Sequence, residues 1–120
     1  MAVRGKKLGA WGEQAACSYL AGKGYEIVQR NYRTARGEID IIAREGATLI
    51  FVEVKTATSL RMGDPVTWVT PKKQQQIAMM ASLYLAENEL VDINCRFDVI
   101  GVVRSGEQAV IEHIINAFWI

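Results

Sequence analysis

The stretch Leu49-Ile50-Phe51-Val52-Glu53-Val54-Lys55 constrains this 120-residue chain more than any other. Side chains of a β-strand alternate between faces with a period of two. Leu49 and Phe51 point one way and Ile50, Val52 and Val54 the other, so the strand is apolar on both faces before its charges begin. That pattern suits a central strand ending at a cleft, where Glu53 and Lys55 emerge together on the Leu49 and Phe51 face. Isolated charges at such a place are costly unless they are paired or bound to a metal.

The other elements follow from similar signals. Leu8 to Lys23 has its apolar residues at helical spacing (Leu8, Gly12, Ala15, Ala16, Tyr19, Leu20), with Gly24 as a C-terminal stop. Tyr25 to Tyr32 reads as a first strand. Glu38 to Arg44 and Thr48 to Thr56 read as a hairpin around Glu45-Gly46. Residues 57–69 form a loop containing Gly63-Asp64-Pro65. Thr70 is a candidate N-cap, with Pro71 at the first position of a helix running to about Glu87. Ile77, Ala81, Tyr84 and Leu85 form its inward face. Cys95 to Val103 and Gln108 to Ile115 make a second hairpin, turning at Ser105-Gly106. The order is αβββαββ, which predicts an α/β fold: a mixed β-sheet flanked by helices. The length suits one domain spanning residues 1–120, with no repeats or linker.

Composition narrows the chemistry. His113 is the sole histidine, which argues against His-based triads and zinc hydrolase sites. Cys17 and Cys95 are the two cysteines, with no Cys-x-x-Cys, so neither a disulfide scaffold nor a structural zinc site is expected. Both thiols are expected to be reduced and partly buried. Carboxylates and lysines are left to carry any reaction. No apolar run approaches the length of a membrane span, and a cytoplasmic protein without membrane contact is expected. Residues 1–36 hold seven basic and two acidic side chains, whereas residues 87–120 hold two basic and six acidic. The net charge of +1 therefore conceals a polarised chain, which permits a basic face for a polyanion.

The candidate chemistry lies in Gly37-Glu38-Ile39-Asp40 followed by Val52-Glu53-Val54-Lys55. A hairpin loop with an even number of residues places Asp40 on the face of Glu53; an odd loop without a bulge places it opposite. Two like charges about 4 Å apart repel by roughly 4 kcal/mol at an effective dielectric near 20. A divalent cation removes that repulsion, and Mg²⁺ favours a few carboxylate oxygens together with water and phosphate oxygens. Lys55 beside such a site can hold or deprotonate an attacking water. Read without that context, Glu53 and Lys55 are more commonly a solvated surface ion pair. Arg30, Arg33 and Arg36 flank Tyr32, and Lys72 and Lys73 open the second helix. These five are the candidate contacts to nucleic-acid phosphates, with a solvated basic surface as the alternative. Asp98, in an apolar strand, is expected to be a buried structural carboxylate paired with an arginine. Trp11 and Trp68 are expected to pack. The tail Phe118-Trp119-Ile120 is expected to dock on the core or on a partner subunit in a homodimer.

The Asp…Glu-x-Lys pattern resembles the restriction-endonuclease-like superfamily. Nearly the whole chain resembles the YraN family of small bacterial proteins. The matching pieces are Gly12-Glu13, Ala15-Ala16, Tyr19-Leu20, Gly24-Tyr25, Arg30-Asn31-Tyr32-Arg33, Gly37-Glu38-Ile39-Asp40, Phe51-Val52-Glu53-Val54-Lys55-Thr56, Lys73 and Arg96-Phe97-Asp98-Val99. That family is similar in turn to archaeal Holliday junction resolvases. The resemblance implies a restriction-endonuclease-like fold and a Mg²⁺- or Mn²⁺-dependent endonuclease acting on DNA, with branched or junction structures as candidate substrates. It makes Asp40 and Glu53 metal ligands and Lys55 the residue serving the nucleophilic water. Glu13 becomes the helix-one carboxylate, holding a second metal or its water; its place at the margin of the helix's apolar stripe agrees. Where many relatives have an arginine after Lys55-Thr56 this chain has Ala57, so that phosphate contact is not carried over. The alternatives are a nucleic-acid-binding module of the same fold with little turnover, and a structural or adaptor protein.

Overall fold

The computed structural model describes residues 2–58, 63 and 67–118, and the side chains of residues 2–6 are not among the features described. The elements are α1 (Ala2–Gly22), β1 (Glu26–Thr34), β2 (Gly37–Glu45), β3 (Thr48–Ala57), α2 (Pro71–Glu87), β4 (Asn94–Ser105) and β5 (Gln108–Ile114). This is the αβββαββ order read from the sequence. The first helix begins six residues earlier than its apolar periodicity indicated. Most of the loop predicted over 57–69, including Asp64 and Pro65, lies outside the described residues.

The five strands form one sheet in the order β1-β2-β3-β4-β5. Only the β3–β4 contact is parallel, and the connection between those strands contains α2. The doubly apolar strand β3 is central. Ile50 and Val52 join Ile41, Ala43, Ile100 and Val102 beneath Ala16, Cys17 and Leu20 of α1. Leu49 and Phe51, on the opposite face, join Ile42 beneath Met80, Ala81 and Tyr84 of α2. Alternation in β3 thus dictates a helix on each side of the sheet, since either face left bare would expose several large apolar side chains.

Local signals explain the boundaries. Thr70 Oγ1 accepts the Lys73 amide at 3.2 Å and Pro71 occupies the first turn of α2, where a missing N–H costs nothing. The β2–β3 ladder closes at Glu45↔Thr48, leaving the two-residue loop Gly46-Ala47. Gly46 has φ 58°, the positive value that so tight a turn requires. The loop is therefore even, and β2 and β3 hold the register that matches Asp40 with Glu53.

Asp98 is fully buried and structural. Arg96 donates to both its oxygens (Nε to Oδ1 2.8 Å, Nη2 to Oδ2 2.9 Å), His113 Nε2 lies 2.7 Å from Oδ2, and the Asn116 amide donates to Oδ1 at 2.9 Å. Burial alone would raise this carboxyl, but the hydrogen bonds from His113, Arg96 and Asn116 outweigh it and hold Asp98 below its ordinary value. Phe118 is buried and stacks on Phe97 with centroids 5.1 Å apart, so the tail docks on the core at this residue; Trp119 and Ile120 lie outside the described residues. Trp68 is buried over Gly101, and Trp11 packs at the α1 cluster beneath the Arg104 guanidinium. Cys17 is buried, whereas Cys95, expected to be partly buried, is exposed because it lies at the start of β4 before the core begins. No helix among the described residues is long and apolar enough to cross a membrane.

Candidate metal and phosphate site

The β2–β3 pairing runs as far as Ile41↔Val52. Beyond it, the Val54 amide donates to Asp40 Oδ2 at 2.8 Å. A carboxylate thus stands where a strand carbonyl would otherwise be, and its position is fixed by the backbone of the strand that carries Glu53 and Lys55. Glu53 lies close enough to Asp40 to help raise its carboxyl. Asp40, Glu53, Lys55 and Glu13 all line one hollow of about 690 Å³, together with Leu8 and Gly9 of α1, residues 54, 56 and 57 of β3, and Thr67 and Trp68.

Glu13 reaches this hollow because α1 runs very close to β3. A Cβ built on Gly12 would overlap the Thr56 side chain, so glycine at 12 sets the spacing that brings the next residue to the sheet. Carboxylate oxygens of Glu13, Glu38 and Asp40 all lie within 4.8 Å of one another. Glu38 was not singled out from the sequence. Its separation of two from Asp40 on a strand was the available signal. Asn31 was missed too: its Nδ2 donates to Glu13 Oε1 at 2.7 Å and to Glu38 Oε1 at 3.1 Å.

The electrostatics reflect crowding of like charge. Burial, reinforced by Glu53 and more weakly by Glu13 and Glu38, pushes the Asp40 carboxyl up to about 8, against the opposing hydrogen bond from Val54. Burial also raises Glu53, opposed by Lys73, by the contact with Asp40 and by Lys55. The two carboxyls favour sharing a proton. All the candidate donors are oxygens, on short-range neighbours that cannot comfortably ionise together. That is the donor chemistry of a hard divalent cation such as Mg²⁺ or Mn²⁺; Glu13, Glu38 and Asp40 are the carboxylates whose oxygens converge closely enough to hold it, and Glu53, expected as a ligand, lines the same hollow without being part of that cluster.

The five basic candidates are not gathered on one surface. Arg36, Lys72 and Lys73 line a second hollow with Thr70, Gln75, Gln76 and Met79, between the first turns of α2 and the β1–β2 turn. Gln76 fastens that turn to α2 by donating to the Arg36 carbonyl at 2.8 Å. Lys73 links the two hollows, its Nζ lying 4.0 Å from Glu53 Oε2. Arg33 is engaged by Glu38 at 2.9 Å, and Arg30 donates to Gln14 of α1 at 2.9 Å.

Comparison with known proteins bears on the whole chain. A protein from Chlorobium limicola, described as a UPF0102 protein, is 51% identical over 118 residues, covering 93% of this chain and 92% of the relative. A UPF0102 protein from Geobacter metallireducens is 48% identical over 118 residues, covering 98% and 97%. One from Chlorobaculum tepidum is 51% identical over 119 residues, covering 94% and 92%. The model of the uncharacterised protein family UPF0102 matches residues 12–102, a span that takes in Glu13, Asp40, Glu53 and Lys55, and the chain belongs to that family.

Proposed function

We propose that the chain is a Mg²⁺- or Mn²⁺-dependent endonuclease that hydrolyses phosphodiester bonds in DNA. The observation that carries this reading is the hollow in which Asp40, Glu53, Lys55 and Glu13 meet, with Asp40 anchored by the Val54 amide. The αβββαββ mixed sheet supports it, because it resembles the restriction-endonuclease-like framework in which such residues meet.

Asp40 and Glu53 would hold the cation, with Glu13 as a further ligand. A bound divalent cation supplies Lewis acidity toward a phosphate oxygen and acidifies a coordinated water. The Lys55 ammonium orients the attacking water and offsets charge on the phosphate, and the proton of that water passes to solvent. The water oxygen forms the new bond to phosphorus as the bond to the leaving deoxyribose oxygen breaks, and that oxygen takes a proton from solvent. Lys73, opposite Glu53, and Arg36 and Lys72 beyond it receive the flanking phosphates. The Glu53 carboxylate, 4.0 Å from Lys73 Nζ, would lie between that ammonium and a bound divalent ion. Branched and junction DNA are the substrates to test first.

The test incubates the purified protein with single-stranded, duplex, flap and four-way-junction DNA, with and without Mg²⁺ or Mn²⁺. Cleavage that requires the metal and is lost in Asp40→Asn supports the reading. The hollow formed by Arg36, Lys72 and Lys73 favours one second reading, a DNA-binding module with little turnover. Salt-sensitive binding without metal-dependent cleavage selects that alternative. Absence of both activities points to a structural or adaptor protein.

A further inference from the structure

Asn31 lies in the middle of β1 with φ 51°, in the left-handed region that Asn tolerates better than other residues bearing a Cβ. Its neighbours Arg30 and Tyr32 remain in the ladder, opposite Ile41 and Ile39. The twist therefore falls between two ladder pairs, and side-chain alternation breaks there. Tyr32 packs in the cluster under α2, while Arg30 reaches Gln14 on α1. Backbone of this kind persists only where surrounding contacts hold it, and it concentrates at functional sites.

The contacts that hold it are specific. Carboxylates offer only acceptors, so Glu13 and Glu38 can share Asn31 only through its two amide hydrogens. The Asn31 Nδ2 contacts to Glu13 Oε1 (2.7 Å) and Glu38 Oε1 (3.1 Å) use both. Glu38 is fixed in turn by Arg33, whose Nε donates to Oε2 at 2.9 Å. The chain of contacts Arg33–Glu38–Asn31–Glu13 thus ends on a carboxylate whose oxygen lies within 4.8 Å of Asp40. A helix side chain would otherwise turn away from that like charge.

We propose that Asn31 is a positioning residue, whose left-handed backbone and amide group hold Glu13 beside Asp40 so that both serve one cation or its water shell. This rests on the metal-site reading of Asp40 and Glu53. It also gives Arg33 a part that a phosphate-contact role does not require: the outer anchor of the contact chain.

The test compares the parent protein, Asp40→Asn, Asn31→Gly and Asn31→Asp. Glycine keeps the left-handed backbone and removes the amide; aspartate keeps the side-chain shape and replaces both donor hydrogens with an acceptor. Mn²⁺ is titrated calorimetrically into each metal-free protein without DNA, and cleavage is measured on the DNA that the parent cuts best. Loss of an outer-shell partner typically weakens metal affinity or activity by about 10- to 100-fold. Both Asn31 variants are expected to bind Mn²⁺ more weakly by roughly that factor and to lower kcat similarly, with KM for DNA changed by less than about twofold. Thermal melts identify which variants are folded, and either folded variant decides the matter. If the parent binds Mn²⁺, Asp40→Asn does not, and the folded Asn31 variant binds as the parent does, the positioning role is overturned while the metal site stands. A parent that binds no Mn²⁺ overturns both.

Discussion

Replacing Asp40 by Asn tests the electrostatic argument before any substrate is involved. The amide oxygen can still accept the Val54 N–H that now bonds Asp40 Oδ2 at 2.8 Å, so the local backbone keeps its partner and a single ionisable group is removed. Oxygens of Asp40, Glu13 and Glu38 lie within 4.8 Å of one another. At that separation each fully ionised pair costs about 3.5 kcal/mol at an effective dielectric near 20, with water and local relaxation reducing what appears in stability. Asp40 is raised from 3.8 to about 8 in the folded protein. Between those values the folded state binds more protons than the unfolded state, so the stability contributed by the Asp40 proton is present at low pH and lost as pH rises toward about 8. Metal-free parent protein should therefore weaken through this window, whereas Asp40→Asn should have a flatter profile. Near the alkaline end, the variant should be more stable by roughly 2–3 kcal/mol, on the order of 10 °C in Tm for a domain of this size. The assay is urea or thermal unfolding across the window in a chelator, repeated with Mg²⁺. Ligand at about a hundred times its Kd adds approximately 2.7 kcal/mol to a protein that binds it, so saturating Mg²⁺ should narrow or reverse the difference by stabilising the parent selectively. Superimposable metal-free profiles of the two proteins would refute the claim that these carboxylates are coupled.

Three further outcomes follow from the geometry. Lys55→Ala should greatly reduce cleavage while leaving Mg²⁺-dependent DNA binding largely intact, because the carboxylates hold the cation; cleavage at the parent rate would make Lys55 only half of an ion pair. Gly12→Ala adds a Cβ that overlaps the Thr56 side chain, so it should shift α1 from β3, cost about 1–3 kcal/mol in urea unfolding and weaken Mn²⁺ binding by displacing Glu13. Asp98→Asn should destabilise the fold by roughly 3–5 kcal/mol, since it breaks a buried, charge-paired carboxylate, yet leave metal affinity unchanged in protein that remains folded; because Asp98 is held below its ordinary value, the parent's contribution from this group is lost only as pH falls through that lowered value.

Much of the frame was legible in the sequence because it depends on local periodicity. Apolar residues on both faces of 49–54 required a central strand with cover on each side, and Thr70-Pro71 marked the start of α2 through the chemistry of a helix N-terminus. Strand parity reduced the match of Asp40 with Glu53 to whether the hairpin loop is even or odd, and the ladder closing at Glu45↔Thr48 decided it. What the sequence alone could not determine depends on where separate elements approach one another. The Val54 amide meets Asp40 only because the β2–β3 ladder stops after Ile41↔Val52. Glu13 enters the site only because α1 passes close enough over Thr56 to exclude a Cβ at position 12. The five basic candidates divide between one hollow and two local pairings, a partition that neither their spacing nor their charge encodes. Asn31 is the extreme case. Its residue type permits a left-handed backbone, but the carboxylates that its amide meets, Glu13 on α1 and Glu38 on the neighbouring strand β2, come to it only through the packing of those elements.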